Sequence, residues 1–178
     1  MARKDLALGS YEAAALMGVH FTRPGRMFDA GTLVGRVLDP IAANKSDRAF
    51  VIYSALACEE NFVEYEETQS GKAGRVFRPR AWLDDRPGML KRLAAMTPDI
   101  SYADAVGTAE AAKILNVHVS LVQRLIATGK ILGRTPWNPR HSGGSRCVII
   151  SRRSCEAHRR EVDAAEKAGK KRGRARYA

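Results

Sequence analysis

Two stretches decide the fold: EAAALMGVHFTRPGRMFDAGTLVGR, from Glu12 to Arg36, and EAAKILNVHVSLVQRLIATGKILGR, from Glu110 to Arg134. They lie 98 positions apart, and without any gap Gly9 to Arg36 falls on Gly107 to Arg134. Ten of these 28 pairs are identical: Gly9/Gly107, Glu12/Glu110, Ala13/Ala111, Ala14/Ala112, Val19/Val117, His20/His118, Arg26/Arg124, Gly31/Gly129, Gly35/Gly133 and Arg36/Arg134. Average residue usage gives roughly two by chance. The same offset places Arg48 on Arg146, and after a one-residue slip it matches Ser54/Ser151, Cys58/Cys155, Glu59/Glu156 and Glu64/Glu161. The chain reads as a duplication, which constrains its architecture before any single element is assigned.

Each copy spells the same order of elements. Ser10 or Thr108 is expected to cap a short helix with Glu12 or Glu110 in its first turn, where the helix dipole favours a negative charge. Ala13, Leu16 and Met17, or Ala111, Ile114 and Leu115, form its apolar stripe. Gly18 or Asn116 supplies the left-handed stop. A second helix ends at Gly31 or Gly129, and in the later copy Val122, Leu125 and Ile126 give it a core-facing side. In the earlier copy Pro24 and Gly25 replace Val122 and Gln123, so that helix is expected to start later, near Thr22, with the proline in its first turn. Leu33 to Leu38 and Lys130 to Arg134 fit a strand, AFVIY and RCVII its partner, and Ser54 and Ser151 cap a third helix. Two helices, a two-stranded ribbon with a protruding loop and a closing helix make a winged helix-turn-helix.

The expected fold is therefore mainly α with small β-ribbons, two winged helix-turn-helix domains joined by a partly helical linker. The N-terminal unit spans 1–67, the linker with its short helix 68–106, the C-terminal unit 107–165 and a basic tail 166–178. In the linker Trp82, Leu83, Met89, Leu90 and Leu93 are expected to pack on a neighbouring domain, and the tail, KAGKKRGRARYA, has too little to bury to fold in isolation.

Composition narrows the function. A 45% hydrophobic content is that of a globular chain, and no apolar run is long enough for a signal sequence or a spanning helix, so a cytoplasmic protein is expected. The net charge is +11. Residues 1–67 hold 7 Lys/Arg against 10 Asp/Glu, whereas residues 68–178 hold 23 against 9, which puts the attraction for a polyanion in the later part. Cys58, Cys147 and Cys155 lack the close pairing of metal or disulfide frameworks and read as reduced thiols; Cys155 and His158 alone do not make a zinc site. His20, His118, His141 and His158 have no nucleophile or carboxylate at motif spacing, and no glycine loop cradles a phosphate, so neither a cofactor nor an enzyme is expected.

The later copy, GTAEAAKILNVHVSLVQRLIATGKI followed by CVIISRRSCEAHR, resembles the excisionase-like branch of the MerR-type winged helix-turn-helix proteins. The order T-x-E-A-A, an apolar pair, N-V as the turn, V-x-x-L-I, G-K-I and a second strand ending in serine carries the likeness, over about Gly107 to Glu161. The resemblance implies double-stranded DNA as partner. It also implies that His118, Val119, Ser120, Gln123 and Arg124 face base edges in the major groove, where each side-chain type has a suitable contact, although His118 can instead simply cap the helix. Lys130, Arg134, Arg140, Arg146, Arg152 and Arg153 then flank that helix as phosphate contacts, with Arg140, His141 and Arg146 on the wing loop. The corresponding positions of the earlier copy are His20, Phe21, Thr22, Arg23, Arg26 and Arg36, with Lys45 and Arg48 on its wing.

The function expected is sequence-specific DNA binding, as a transcriptional regulator or a recombination-directionality factor of a mobile element. The alternative is a packaging adaptor of the phage terminase small-subunit type. In that case the earlier unit, with its acidic third helix ACEENFVEYEE, touches protein: another copy of the chain or a partner.

Overall fold

The computed structural model describes residues 4–39, 50–62, 86–138 and 147–167. Their architecture is mixed α/β, helices with two small antiparallel sheets. The first half runs β1 (Ala7–Leu8), α1 (Ser10–Met17), α2 (Arg23–Asp29), β2 (Gly35–Asp39), β3 (Phe50–Ser54) and α3 (Ala55–Glu60). Helix α4 (Arg86–Ala94) follows. The second half repeats the course as β4 (Ala105–Val106), α5 (Thr108–Leu115), α6 (Val119–Ala127), β5 (Gly133–Arg134), β6 (Ile149–Ser151) and α7 (Arg152–Lys167).

Each sheet has three strands rather than the expected two, in the orders β1-β3-β2 and β4-β6-β5. The additional strands, β1 and β4, are only two residues long, too short for any alternation to reveal them. They pair in matching register, Ala7 with Ser54 and Ala105 with Ser151. Gly35 likewise faces Tyr53 as Gly133 faces Ile150.

Local stereochemistry sets the helix ends. Gly9 and Gly107, not Ser10 and Thr108, are the extended N-cap residues of α1 and α5. The Gly9 N–H donates to Glu12 Oε2 at 2.9 Å, half of a capping box that needs no side chain on the cap itself. Gly18 (φ 70°) and Asn116 (φ 54°) end these helices in the left-handed conformation. Gly31 (φ 71°) and Gly129 (φ 68°) follow α2 and α6 in the same way. Ser54 and Ser151 cap α3 and α7, accepting from the N–H groups of Ala57 and Ser154, each at 3.1 Å.

Two cores follow from equivalent positions: Leu8, Ala13, Met17, Leu33, Tyr53 and Cys58 in one, Val106, Ala111, Leu115, Ile131, Ile150 and Cys155 in the other. A third cluster belongs to both halves and contains Ala7, Leu38, Ile52, Ile100, Ala105 and Ile149. Full burial of one such isoleucine contributes about 1.5–3 kcal/mol, so this seam is an adhesive surface between the halves. Alongside it Ala7 N–H donates to Ile100 O (3.0 Å) and Tyr102 N–H to Asp5 O (2.7 Å).

The stretch expected to be a linker is therefore integrated at its far end. Helix α4 packs on α1 with Met89 buried and Leu93 partly so, while Leu90 keeps 37% of its surface. Trp82 and Leu83 lie outside the described residues, as does the tail beyond Lys167.

Candidate nucleic-acid interface

Helix α6 is two-faced. Val122 and Leu125 are fully buried beneath it and Ile126 packs at the edge of the same core, while Ser120, Gln123 and Arg124 are exposed and Val119 retains 46% of its surface. The side chains that share the outer surface thus offer an amide, a guanidinium, a hydroxyl and a small apolar group, a set able to distinguish base pairs by hydrogen bonding and methyl contact. Lys130 and Arg153 are exposed as well.

His118 holds the N-cap of α6. Its Nδ1 accepts the Ser120 N–H at 3.3 Å and lies 2.9 Å from the Ser120 hydroxyl, so one ring nitrogen is engaged in ending the turn. His20 repeats the arrangement with Thr22, at 3.4 Å to the N–H and 2.9 Å to the hydroxyl.

The earlier counterpart differs in form. Helix α2 has Thr22 as N-cap and begins at Arg23, two positions later in repeat register than α6, with Pro24 buried in its first turn. Arg23 and Arg26 are exposed. Phe21, expected at the base-facing start, instead stacks on Tyr11 at 5.0 Å between ring centroids and 8° between planes, with His20 tilted against it at 4.4 Å. At the positions of Tyr11 and Phe21 the later copy has Ala109 and the exposed Val119.

Two residues expected to meet phosphate do something else. Arg134 forms an ion pair with Glu12 at 2.7 Å, the two side chains retaining 7% and 2% of their surface. Its Nη2 also donates to Glu12 Oε2 (3.0 Å) and to Ala7 O (2.5 Å). Arg36 donates through Nη2 to Tyr102 O at 2.7 Å and to Ala105 O, with its guanidinium 5.3 Å from the Tyr102 ring centre. Both arginines reach into the opposite half, because a buried carboxylate and strand-end carbonyls there need donors. Arg152 pairs with Glu110, both side chains about 40% exposed. The residues expected on the wings, Lys45, Arg48, Arg140, His141 and Arg146, lie outside the described residues.

Sequence reading missed a matched pair of carboxylates. Asp5 accepts from Ser54 Oγ (2.8 Å) and Leu56 N–H (3.2 Å), as Asp104 accepts from Ser151 Oγ (2.6 Å) and Arg153 N–H (2.9 Å). Their offset is 99 rather than 98, so the gapless alignment hides them.

Cys58 and Cys155 are buried free thiols and Cys147 is half-buried. Burial, reinforced by Asp5, pushes the Cys58 thiol up to about 12, and burial with Asp104 nearby pushes Cys155 to about 11. Neither is a nucleophile near neutral pH. Among the described residues no group of three His, Cys, Asp or Glu side chains is placed to hold a metal ion, and no helix is long and apolar enough to cross a membrane. In comparisons with known proteins no family model, no curated protein and no solved structure matches this chain.

Proposed function

We propose that the chain is a sequence-specific double-stranded-DNA-binding protein of two winged helix-turn-helix units, acting as a transcriptional regulator or a recombination-directionality factor. The observation that carries the reading is α6: Val122 and Leu125 anchor it in the core while Val119, Ser120, Gln123 and Arg124 present base-reading chemistry outward. The excess of cationic residues after position 67 supplies the general attraction to the duplex. Helix α2, with Arg23 and Arg26 outward, is the second and weaker reading surface, and cytoplasmic, nucleoid-associated action goes with this function.

Band-shift titration against random and selected duplexes tests it. Specific complexes persist at physiological salt; affinity without preference, vanishing as salt rises, contradicts the proposal. Arg124→Ala costs about 1–3 kcal/mol of binding and relaxes preference at one position. If Arg26→Ala costs as much on the same long site, both units read DNA; an effect from Arg124 alone assigns the earlier unit to protein contact.

One feature favours the packaging-adaptor reading: a groove of about 490 Å³ between the earlier unit and the α4 segment, lined by Lys4, Leu6 and Glu59 on one side and Leu93, Met96 and Asp99 on the other. Light scattering decides it. A ring-sized assembly supports that reading, and a monomer or dimer supports the regulator.

A further inference from the structure

We propose that the chain carries its own two-fold axis, so that the duplex it takes has two unlike half-sites in inverted orientation. The inference rests on the DNA-binding reading above and adds to it the geometry of the site.

The contacts between the halves are reciprocal. Arg36 of the first unit reaches Ala105 O of the second, and Arg134 of the second reaches Ala7 O of the first. Arg36 and Arg134 are equivalent in the repeat, and so are Ala7 and Ala105. Two copies packed head to tail use two different surfaces: one arginine would reach its neighbour while the other pointed away. Contacts that close on each other in pairs require a rotation near 180° between the units, the relation found at an isologous dimer interface. The shared cluster agrees, because it contains both members of the equivalent pairs Ala7/Ala105 and Ile52/Ile149. A patch that meets its own counterpart lies on or beside such an axis.

The symmetry is incomplete: Arg36 also reaches Tyr102 O, and the Ala7 N–H reaches Ile100 O, contacts that the other half does not repeat among the described residues. Glu12 lies in the seam and binds Arg134, whereas its equivalent Glu110 binds Arg152 within its own unit. The Trp137 N–H also donates to Glu12 Oε1 at 2.9 Å, and Pro136 presses on Gly9 so closely that a Cβ there would stand 2.6 Å from the Pro136 Cβ. The second unit is thereby locked to the first by a buried polar contact without a mirror partner.

Helices α2 and α6 follow the same axis as the units that hold them. A duplex that engages both through equivalent faces shares that axis, which sets its half-sites in opposite strand orientation at a fixed separation. Arg36 and Arg134 are positioning residues: they touch no base and set where the two reading helices stand.

Two measurements on the full-length chain test this. In the first, without DNA, nitroxide labels are placed at the equivalent exposed positions by Val34→Cys and Leu132→Cys, in a Cys147→Ser background. One narrow distance distribution is expected, and a broad one overturns the fixed seam. In the second, half-sites recovered by selection are joined as an inverted repeat, a direct repeat, and an inverted repeat lengthened by about half a helical turn, roughly 5 base pairs. The inverted repeat binds about 100-fold tighter than either of the others, the advantage of a correctly tethered second module. Equal binding to inverted and direct repeats, or preference for the direct one, overturns the inference.

Arg36→Lys keeps the affinity for a single half-site of the second unit while reducing the inverted-over-direct ratio. An unchanged ratio removes its positioning role. A narrow distance with no base preference on any duplex removes the DNA-binding reading and this inference together; a broad distance with base preference removes only this one.

Discussion

Helices α1 and α5 pose the same physical problem in the two halves, and the chain solves it with different pieces. Each buries an apolar face and ends in carbonyls that need donors. Over α5 lies α7, sixteen residues long, whose Arg159 Nη1 donates to Leu115 O at 3.1 Å. Over α1 lies α3, only six residues long, and then α4, which packs on α1 and brings Arg86 Nε to Leu16 O at 3.2 Å. An arginine reaches the end of each helix, from one continuous element in one half and from an inserted one in the other. Packing and satisfied carbonyls are what the fold requires, and the sequence supplying them is free to diverge. The same freedom separates α6, a smooth amphipathic helix, from α2, shortened by Pro24 and tied down by Phe21 on Tyr11.

The largest break in the comparison comes from the two glutamates. Arg134→Ala leaves the Glu12 carboxylate buried without its ion partner and costs about 3–5 kcal/mol in denaturant unfolding. Arg152→Ala removes the half-exposed partner of Glu110 and costs about 0–1 kcal/mol. Equal losses contradict the assignment of Glu12 to the seam. Gly9→Ala drives a methyl into Pro136 and costs about 1–3 kcal/mol. Gly129→Ala meets nothing within 4 Å but must hold φ at 68°, and costs about 1 kcal/mol. A smaller effect in Gly9→Ala than in Gly129→Ala means that the halves are not in close contact at that point.

The smallest effect separates the thiols. A thiol reagent at pH 8 reaches half-buried Cys147 before Cys58 or Cys155; simultaneous labelling contradicts their burial. Both buried thiols are held protonated by folding, their ordinary value being 9.0. The stability this contributes is intact below pH 9 and is lost as the pH rises through about 11 for Cys155 and about 12 for Cys58. Melting temperature followed from pH 8 to 11 should fall, and a rise contradicts the sign.

Features governed by local stereochemistry were legible in the sequence: the left-handed stops at Gly18 and Asn116, the serine caps at Ser54 and Ser151, and the later start of α2. So was the buried side of α6, since Val122 and Leu125 at helical spacing dictate which side chains remain outward. What depended on contacts between residues distant along the chain was not. Arg36 and Arg134 share a sign with their cationic neighbours, and charge alone does not distinguish an arginine facing phosphate from one facing a buried carboxylate. Strands β1 and β4 owe their existence to partners more than forty residues away. The glycine caps lie one residue before the positions the sequence points to, because Ser10 and Thr108 have the side chains that usually cap and Gly9 and Gly107 have none.

The most direct test of the central claim is selection of bound duplexes from a random pool by the full-length protein at physiological salt. Enrichment of a bounded motif that changes at one position in Arg124→Ala is the predicted result. A pool that remains random through successive rounds, or a motif indifferent to Arg124, contradicts it.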